Sequence, residues 1–291
     1  MRYSAGWCFG YVNNKRLKAR FFYVSIPALA GFAIMYLYPF IRTLWYSMID
    51  NTFQRNFVFF DNYINVFNNQ FFKLAVKNTF IFSLIGVFCV ITLSLLLSFG
   101  LRLLGQRFEL IKYLLISPMV LPTAGVIFAW QLAFQNETYR EMIRHVASTE
   151  FWTILPIYLL YIWKNTGLNI IILSAAIAGV PNEVYEASSL DGAGVFQKHR
   201  HITLPLITPA IMFVVVLSFV NALRNFRESY LFFGTNYPPD VAYTLQYYMN
   251  NHFGRLNYPT LTTASVIFTV IIATIILVMY RLENKYNERI Y

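Results

Sequence analysis

Long apolar stretches separated by short polar connections dominate this chain. Six of them reach or approach the roughly 20 residues a helix needs to cross a bilayer. They are residues 21–41, 78–101, 113–136, 151–180, 201–223 and 256–280. Five hold no Lys, Arg, Asp or Glu, the fourth holds only Lys164, and the fifth pattern runs on past Arg224. The pattern predicts an all-α, polytopic membrane protein of six transmembrane helices. The first run resembles a signal peptide, with basic residues before it and Ala28-Leu29-Ala30 like a cleavage site. It continues through Ile41, too long for a signal core, so it reads as an uncleaved first span. The segments are then a basic tail (1–20), a first helix (21–47), a five-helix core (71–281) and a short tail (282–291).

Composition supports the bilayer as solvent. Of 291 residues, 57% are hydrophobic and 12% charged, and the mean hydropathy is +0.50. Soluble domains carry about 25% charged residues. Cys8 lies in the basic tail and Cys89 in an apolar run, so neither reads as bridged or metal-bound. The net charge of +10 serves topology rather than nucleic acid, which is not an expected partner. With the amino terminus inside, thirteen Lys and Arg fall on inner segments, among them Arg2, Lys15, Arg102, Lys198 and Arg281. Six fall outside: Arg55, Lys73, Lys77, Arg140, Arg144 and Arg255. The positive-inside rule therefore puts both termini in the cytoplasm. The outer loops are too short to be folded domains. No GxxxxGK[ST] stretch occurs, so the chain has no P-loop with which to bind ATP.

The inner connection between the fourth and fifth spans, residues 181–204, carries the most information. Pro181 suits a first helical turn, with Asn182 and Glu183 at the positive helix end. Glu186-Ala187-Ser188-Ser189-Leu190 continues the helix, and Gly192 and Gly194 permit a left-handed turn that stops it. A second short amphipathic piece follows, and Pro205 opens the next span. The result is a short helix, a tight turn and a second short helix, a shape another protein can grip. His199 and His201 have no third ligand in view and read as loop residues.

Glu186, Ala187, Gly192, Ile202, Leu204 and Pro205 stand at the spacing of the Glu-Ala-Ala loop of permease subunits in binding-protein-dependent ABC importers, which this chain resembles. Ser188 replaces the second Ala. Trp163-Lys164-Asn165-Thr166-Gly167 and the opening Pro27, Tyr38-Pro39 and Ser47 resemble the carbohydrate branch, its maltose- and glycerol-phosphate-type first permease in particular. The resemblance implies the membrane domain of a type I ABC importer in a bacterial cell membrane. It implies a second permease, two cytoplasmic ATPases that use ATP and Mg, and an external solute-binding protein that delivers a carbohydrate. Tyr185, Glu186, Ala187, Ser188, Asp191, Gly192 and Ala193 are then the ATPase-coupling positions, Asp191 being equally readable as a local brace. The chain itself would bind no cofactor or metal and would not be an enzyme.

Polar groups inside apolar spans are costly and face protein or water. Tyr161, Asn165 and Leu168 share one helical face beside Lys164, and Ser218, Asn221, Asn225 and Ser229 share another. These faces flank the coupling loop, and in maltose-type relatives the same two helices hold sugar. The candidate pathway is therefore Tyr161, Lys164, Asn165, Leu168, Ser218, Asn221 and Asn225. Hydrogen-bonding between helices is the other reading of the Ser and Asn residues, Ser218 above all. Arg224 and Glu228, four apart, with Arg227 beside Glu228, read as an ion-pair cluster.

Two other classes compete. A secondary carrier calls for broken spans or inverted repeats, and neither is evident in the sequence. A membrane enzyme would need interfacial carboxylates or histidines, of which Glu137, Glu141, His145 and Glu150 are loose candidates. Glycerol phosphate is the alternative cargo within the leading class.

Overall fold

A backbone in hydrocarbon finds no water for its N–H and C=O groups, so each apolar run satisfies them internally as a helix. The computed structural model describes residues 25–103, 114–115, 117–135, 137, 141 and 149–290. Among them, the one extended pairing is a bridge between Ile49 and Phe57. Helix α1 (Ser25–Tyr46) contains a π-turn at Ala33–Leu37, and α2 (Asp61–Asn68) follows. Next come α3 (Gln70–Leu103), α4 (Thr123–Phe134) and α5 (Thr149–Ala178). The loop holds α6 (Asn182–Leu190) and α7 (Val195–Lys198). A π-turn at His199–Thr203 joins α7 to α8 (Leu204–Leu223). The chain ends through α9 (Phe226–Phe233), α10 (Leu245–Gly254) and α11 (Tyr258–Ile290).

Five described helical stretches are long and apolar enough to cross a membrane: Ser25–Tyr46, Gln70–Arg102, Glu150–Ala178, Val195–Phe233 and Tyr258–Arg281. The third expected span, 113–136, is broken. Leu121 N–H closes one turn on the Ser117 carbonyl at 3.2 Å, and α4 restarts with Val126 N–H donating to the Pro122 carbonyl at 3.2 Å. Pro122 has no N–H and pushes Leu121 away from the α region. Pro122 itself sits at ψ 122°, outside a helix. The absence of broken spans therefore fails as an argument against a secondary carrier.

Three boundaries also move. α3 begins at Gln70, so Lys73 and Lys77 lie on its first turns rather than in a loop. α11 is helical to Ile290, through the expected tail. Gly194 is extended (φ −69°, ψ 166°) and takes no part in the left-handed turn. Cys8, His145, the 1–20 tail and residues 21–24 of the first run lie outside the described residues.

Without a hydrophobic drive between helices in lipid, association rests on close packing and interhelical hydrogen bonds. α3 and α5 share the largest interface, and α8 packs on both. Gly86 makes their approach possible: a Cβ there would lie 3.1 Å from the Tyr161 ring. Phe82, Val90, Ile127, Ile157, Leu160 and Tyr161 fill the centre. Ile177, Val180 and Ile207 close the end that carries α6. At the opposite end, Phe72, Tyr243, Tyr247 and Tyr248 bind α10 to α3 and α11. Asn78 Nδ2 fixes that cap by donating to the Tyr243 carbonyl at 3.0 Å. α1 packs on α11 with no buried residue in its apolar window, so it faces outward on the rim of the bundle.

Candidate functional site: a polar cavity above a coupling loop

Lys164 lies midway along α5, roughly 22 Å from its start at 1.5 Å per residue. An ammonium at that depth needs water or a counter-ion. It has both a partner and a cavity. Lys164 Nζ donates to Glu228 Oε1 of α9 at 2.8 Å and to Thr123 Oγ1 of α4 at 3.3 Å. The break at Pro122 sets Thr123 at the head of α4, within reach of α5 and α9. Arg227 Nη2 donates to the same hydroxyl at 3.1 Å and lies 3.5 Å from Glu228.

These groups face a cavity of about 470 Å³ lined also by Met119, Tyr161, Asn165, Leu168, Asn221, Arg224 and Asn225. Six of the seven expected pathway positions therefore meet. Ser218 does not: it is fully buried behind the wall. Its carbonyl accepts from Tyr161 OH at 2.6 Å, and its hydroxyl from Asn169 Nδ2 at 2.8 Å. Asn221 Nδ2 donates to Asn165 Oδ1 at 2.9 Å, and Asn165 Nδ2 to the Tyr161 carbonyl at 2.8 Å. Both amides thus line the cavity and join helices at once. Among the described residues, Arg224 and Asn225 make no side-chain hydrogen bond.

The expected Arg224–Glu228 pair does not form. α8 ends at Leu223, and Arg224 and Asn225 sit at ψ 4° and 9° before α9 begins. That interruption breaks the four-residue geometry and takes Ser229 off the Ser218 face. Ser229 is buried instead against Tyr247 OH at 3.2 Å. Sequence reasoning missed Thr123 and Met119, which carry no periodic polar signal in their run. Pro122 marks the place but does not by itself tell a break from a proline that the span absorbs, as α5 absorbs Pro156.

The loop end is built around one glycine. Gly192 adopts φ +77°. Gly192 N–H donates to the Ser189 carbonyl at 3.1 Å and Ala193 N–H to the Ser188 carbonyl at 3.0 Å, the paired bonds of a Schellman stop. Gln197 Oε1 accepts from Gly194 N–H at 2.9 Å at the start of α7. Glu186, Ala187, Asp191 and Gly192 are exposed, while Ser188 and Ala193 are half-buried. Tyr185 turns the other way. Its OH accepts from Arg102 Nη1 at 2.7 Å and meets Thr203 Oγ1 at 2.8 Å, and the guanidinium stacks 4.2 Å over its ring. Tyr185 therefore ties the loop to α3 and to the root of α8. Leu190, Val195 and Phe196 are left exposed beside the turn.

At the opposite end a second cavity, about 340 Å³, lies among Phe71, Tyr243, Asn251, His252 and Arg255. Burial, with the nearby Arg255 guanidinium, holds the His252 imidazole below its ordinary pKa of 6.5. The unfolded segment then binds a proton more readily than the folded one. This contribution is complete above the unfolded pKa and is lost as pH falls through the lowered folded value. Amides of α10 are expected to have lower protection factors at about pH 5 than at about pH 7, and His252→Gln is expected to flatten that difference. Equal protection at both pH values in the native protein would refute it.

Membrane-crossing helices, a polar cavity between them and a glycine-stopped loop at one end define a multi-pass membrane transport subunit. The chain belongs to the binding-protein-dependent transport system inner membrane component family, whose pattern matches residues 107–290, more than half of its length. It is a family of transport permeases, not of enzymes, and that membership decides against a secondary carrier. The chain is 27% identical to an arabinooligosaccharides transport system permease protein, AraP, of Bacillus subtilis (strain 168), over 98% of this chain and 94% of that one. It is 26% identical to a lactose transport system permease protein, LacF, of Rhizobium radiobacter, over 90% and 92%. Its fold matches that of a bacterial ABC transporter involved in import of the acidic polysaccharide alginate. The TM-score is 0.77 at 20% identity, over 93% of this chain and 96% of the other.

Proposed function

We propose that this chain is the membrane-spanning subunit of an ATP-driven importer that passes a carbohydrate, such as an oligosaccharide, into the cytoplasm. The observation that carries this reading is the 470 Å³ cavity, where Lys164, Asn165, Asn221 and Asn225 gather amide and ammonium groups between α5, α8 and α9, with Tyr161 in its wall. Sugars are bound by such groups in a largely apolar setting. The relatives named for arabinooligosaccharides and lactose support carbohydrate as the cargo. An external binding protein delivers it and sets most of the selectivity. A second permease completes the pathway. Two cytoplasmic ATPases, which use ATP and Mg, grip the 181–204 loop through the exposed face of α6 and the turn at Gly192. The excess of Lys and Arg on one set of connections supports both termini and this loop being cytoplasmic.

Asn165→Leu and Asn225→Leu test the pathway. Each is expected to reduce uptake by about tenfold or less, as the loss of a neutral hydrogen bond costs about 0.5–1.5 kcal/mol. Chain level and assembly should stay normal in Asn225→Leu, whereas Asn165→Leu also removes the bond from Asn221 and should lower chain level less than it lowers uptake. Unchanged uptake in both, or uptake that falls only in step with chain level, overturns the assignment. Orientation has its own check in a background lacking Cys8 and Cys89. A membrane-impermeant thiol reagent outside intact cells should label Cys placed at Asn69 or Asn250 and spare it at Ser189. Labelling at Ser189 would reverse the topology.

A further inference from the structure

The charge on the cavity wall does not balance. Among the described residues, three cations line it, Lys164, Arg224 and Arg227, against one carboxylate, Glu228. Glu228 lies nearest to Lys164, at 2.8 Å, with Arg227 farther away at 3.5 Å. Lys164 and Glu228 cancel, which leaves two guanidiniums on the wall. Arg227 has a side chain 68% exposed, and its other contact is the neutral Thr123 hydroxyl. Arg224 is exposed at the end of α8 with no ion pair among the described residues. A neutral sugar needs hydroxyl-binding groups, which Asn165, Asn221 and Asn225 supply. It gains little from two guanidiniums that share a single carboxylate already closer to Lys164.

We infer that the cargo of this cavity is a carbohydrate bearing a carboxylate, of the uronate class, held by Arg224 and Arg227 while the asparagines meet its hydroxyls; this rests on the carbohydrate-importer reading above. The planar fork of a guanidinium matches a carboxylate with two parallel hydrogen bonds, which an ammonium cannot do. The two roles on the wall then differ. Lys164, its charge offset by Glu228, meets hydroxyls beside the asparagines, and the two arginines read the carboxylate of the cargo. Both arginines are open to water, so solvent screens the attraction and allows the release that transport requires.

The test uses the complete importer, with both permeases, the ATPases and its binding protein, in proteoliposomes loaded with ATP. Uptake is compared between neutral disaccharides (maltose, lactose, galactobiose) and uronate disaccharides of similar size (digalacturonate, cellobiouronate). Glycerol 3-phosphate serves as an anion without a sugar ring. Uptake of a uronate disaccharide is expected. Arg224→Gln and Arg227→Gln should each slow it by about tenfold while the complex assembles normally, and Arg224→Lys should recover only part. Uptake confined to the neutral disaccharides, or to glycerol 3-phosphate, overturns the inference. So does uronate uptake that both Gln variants leave unchanged. If Arg224→Gln instead dissociates the permease pair, the arginine is a subunit contact and the inference also falls. Failure of every sugar, with the wild-type complex still hydrolysing ATP, refutes the carbohydrate reading itself and removes the basis of this one.

Discussion

Gly192→Val is expected to abolish cargo-stimulated ATP hydrolysis by the assembled importer while the chain still inserts in the membrane. Gly192 sits at φ +77°, and no neighbouring atom would lie within 4 Å of an added Cβ. Space is therefore not the obstacle. The obstacle is the backbone, since a left-handed conformation costs a substituted residue roughly 1–2 kcal/mol, and β-branching makes it worse. Relaxing that φ breaks the two bonds that end α6, from Gly192 N–H and Ala193 N–H. The exposed face of α6 and the apolar group at Leu190, Val195 and Phe196 would then no longer share one geometry. Gly192→Asn is the control, because Asn tolerates the left-handed region, and it should retain much of the activity. Full stimulation in Gly192→Val, or equal loss in Gly192→Asn and Gly192→Val, would show that the turn is not what couples the loop.

Removing one member of the Lys164–Glu228 pair is expected to destabilise the bundle more than removing both. Their side chains are 16% and 11% exposed, so each ion has given up most of its water. Breaking a buried pair costs about 3–5 kcal/mol, and residual exposure places this one toward the lower end. Glu228→Met leaves the ammonium facing only the Thr123 hydroxyl and should lower the thermal midpoint and chain level. Lys164→Met should cost less, because Arg227 remains 3.5 Å from Glu228. The double variant should regain chain level without regaining transport. The thermal midpoint of purified protein, together with uptake, reads both effects. A double variant that transports normally would reduce the pair to helix packing, and a harmless Glu228→Met would remove it from the structural account.

Much of this was legible along the chain. The apolar runs forced helices, because unbroken hydrophobicity of that length leaves the backbone no other way to bond. Gly192 gave its turn away, standing just past a helix-forming stretch. The faces of α5 and α8 could be read as well, since three- and four-residue spacing is a local property. The break in the third run was not legible. Pro118, Pro122, Pro156 and Pro209 all lie in apolar runs, yet α5 continues through Pro156 and α8 through Pro209. A proline in a span either breaks it or is absorbed, and neighbouring helices decide which by satisfying the freed carbonyls.

The sequence by itself determined the membrane class, the helical runs, the loop that resembles a coupling device and the polar faces on either side of it. Tertiary structure alone decided the partners. Glu228 meets Lys164, 64 residues away, and not Arg224, four away, because a turn between α8 and α9 rotates Glu228 toward α5. Ser218 went behind the wall and Thr123 came to the front, although the first stands on a polar stripe and the second does not. Tyr185 turned from the loop surface into the bundle, onto Arg102 and Thr203. The reason is common to all four. Spacing fixes which face of a helix a residue occupies, but the neighbour that face meets depends on how separate helices cross, and that is settled by packing among segments far apart in the chain.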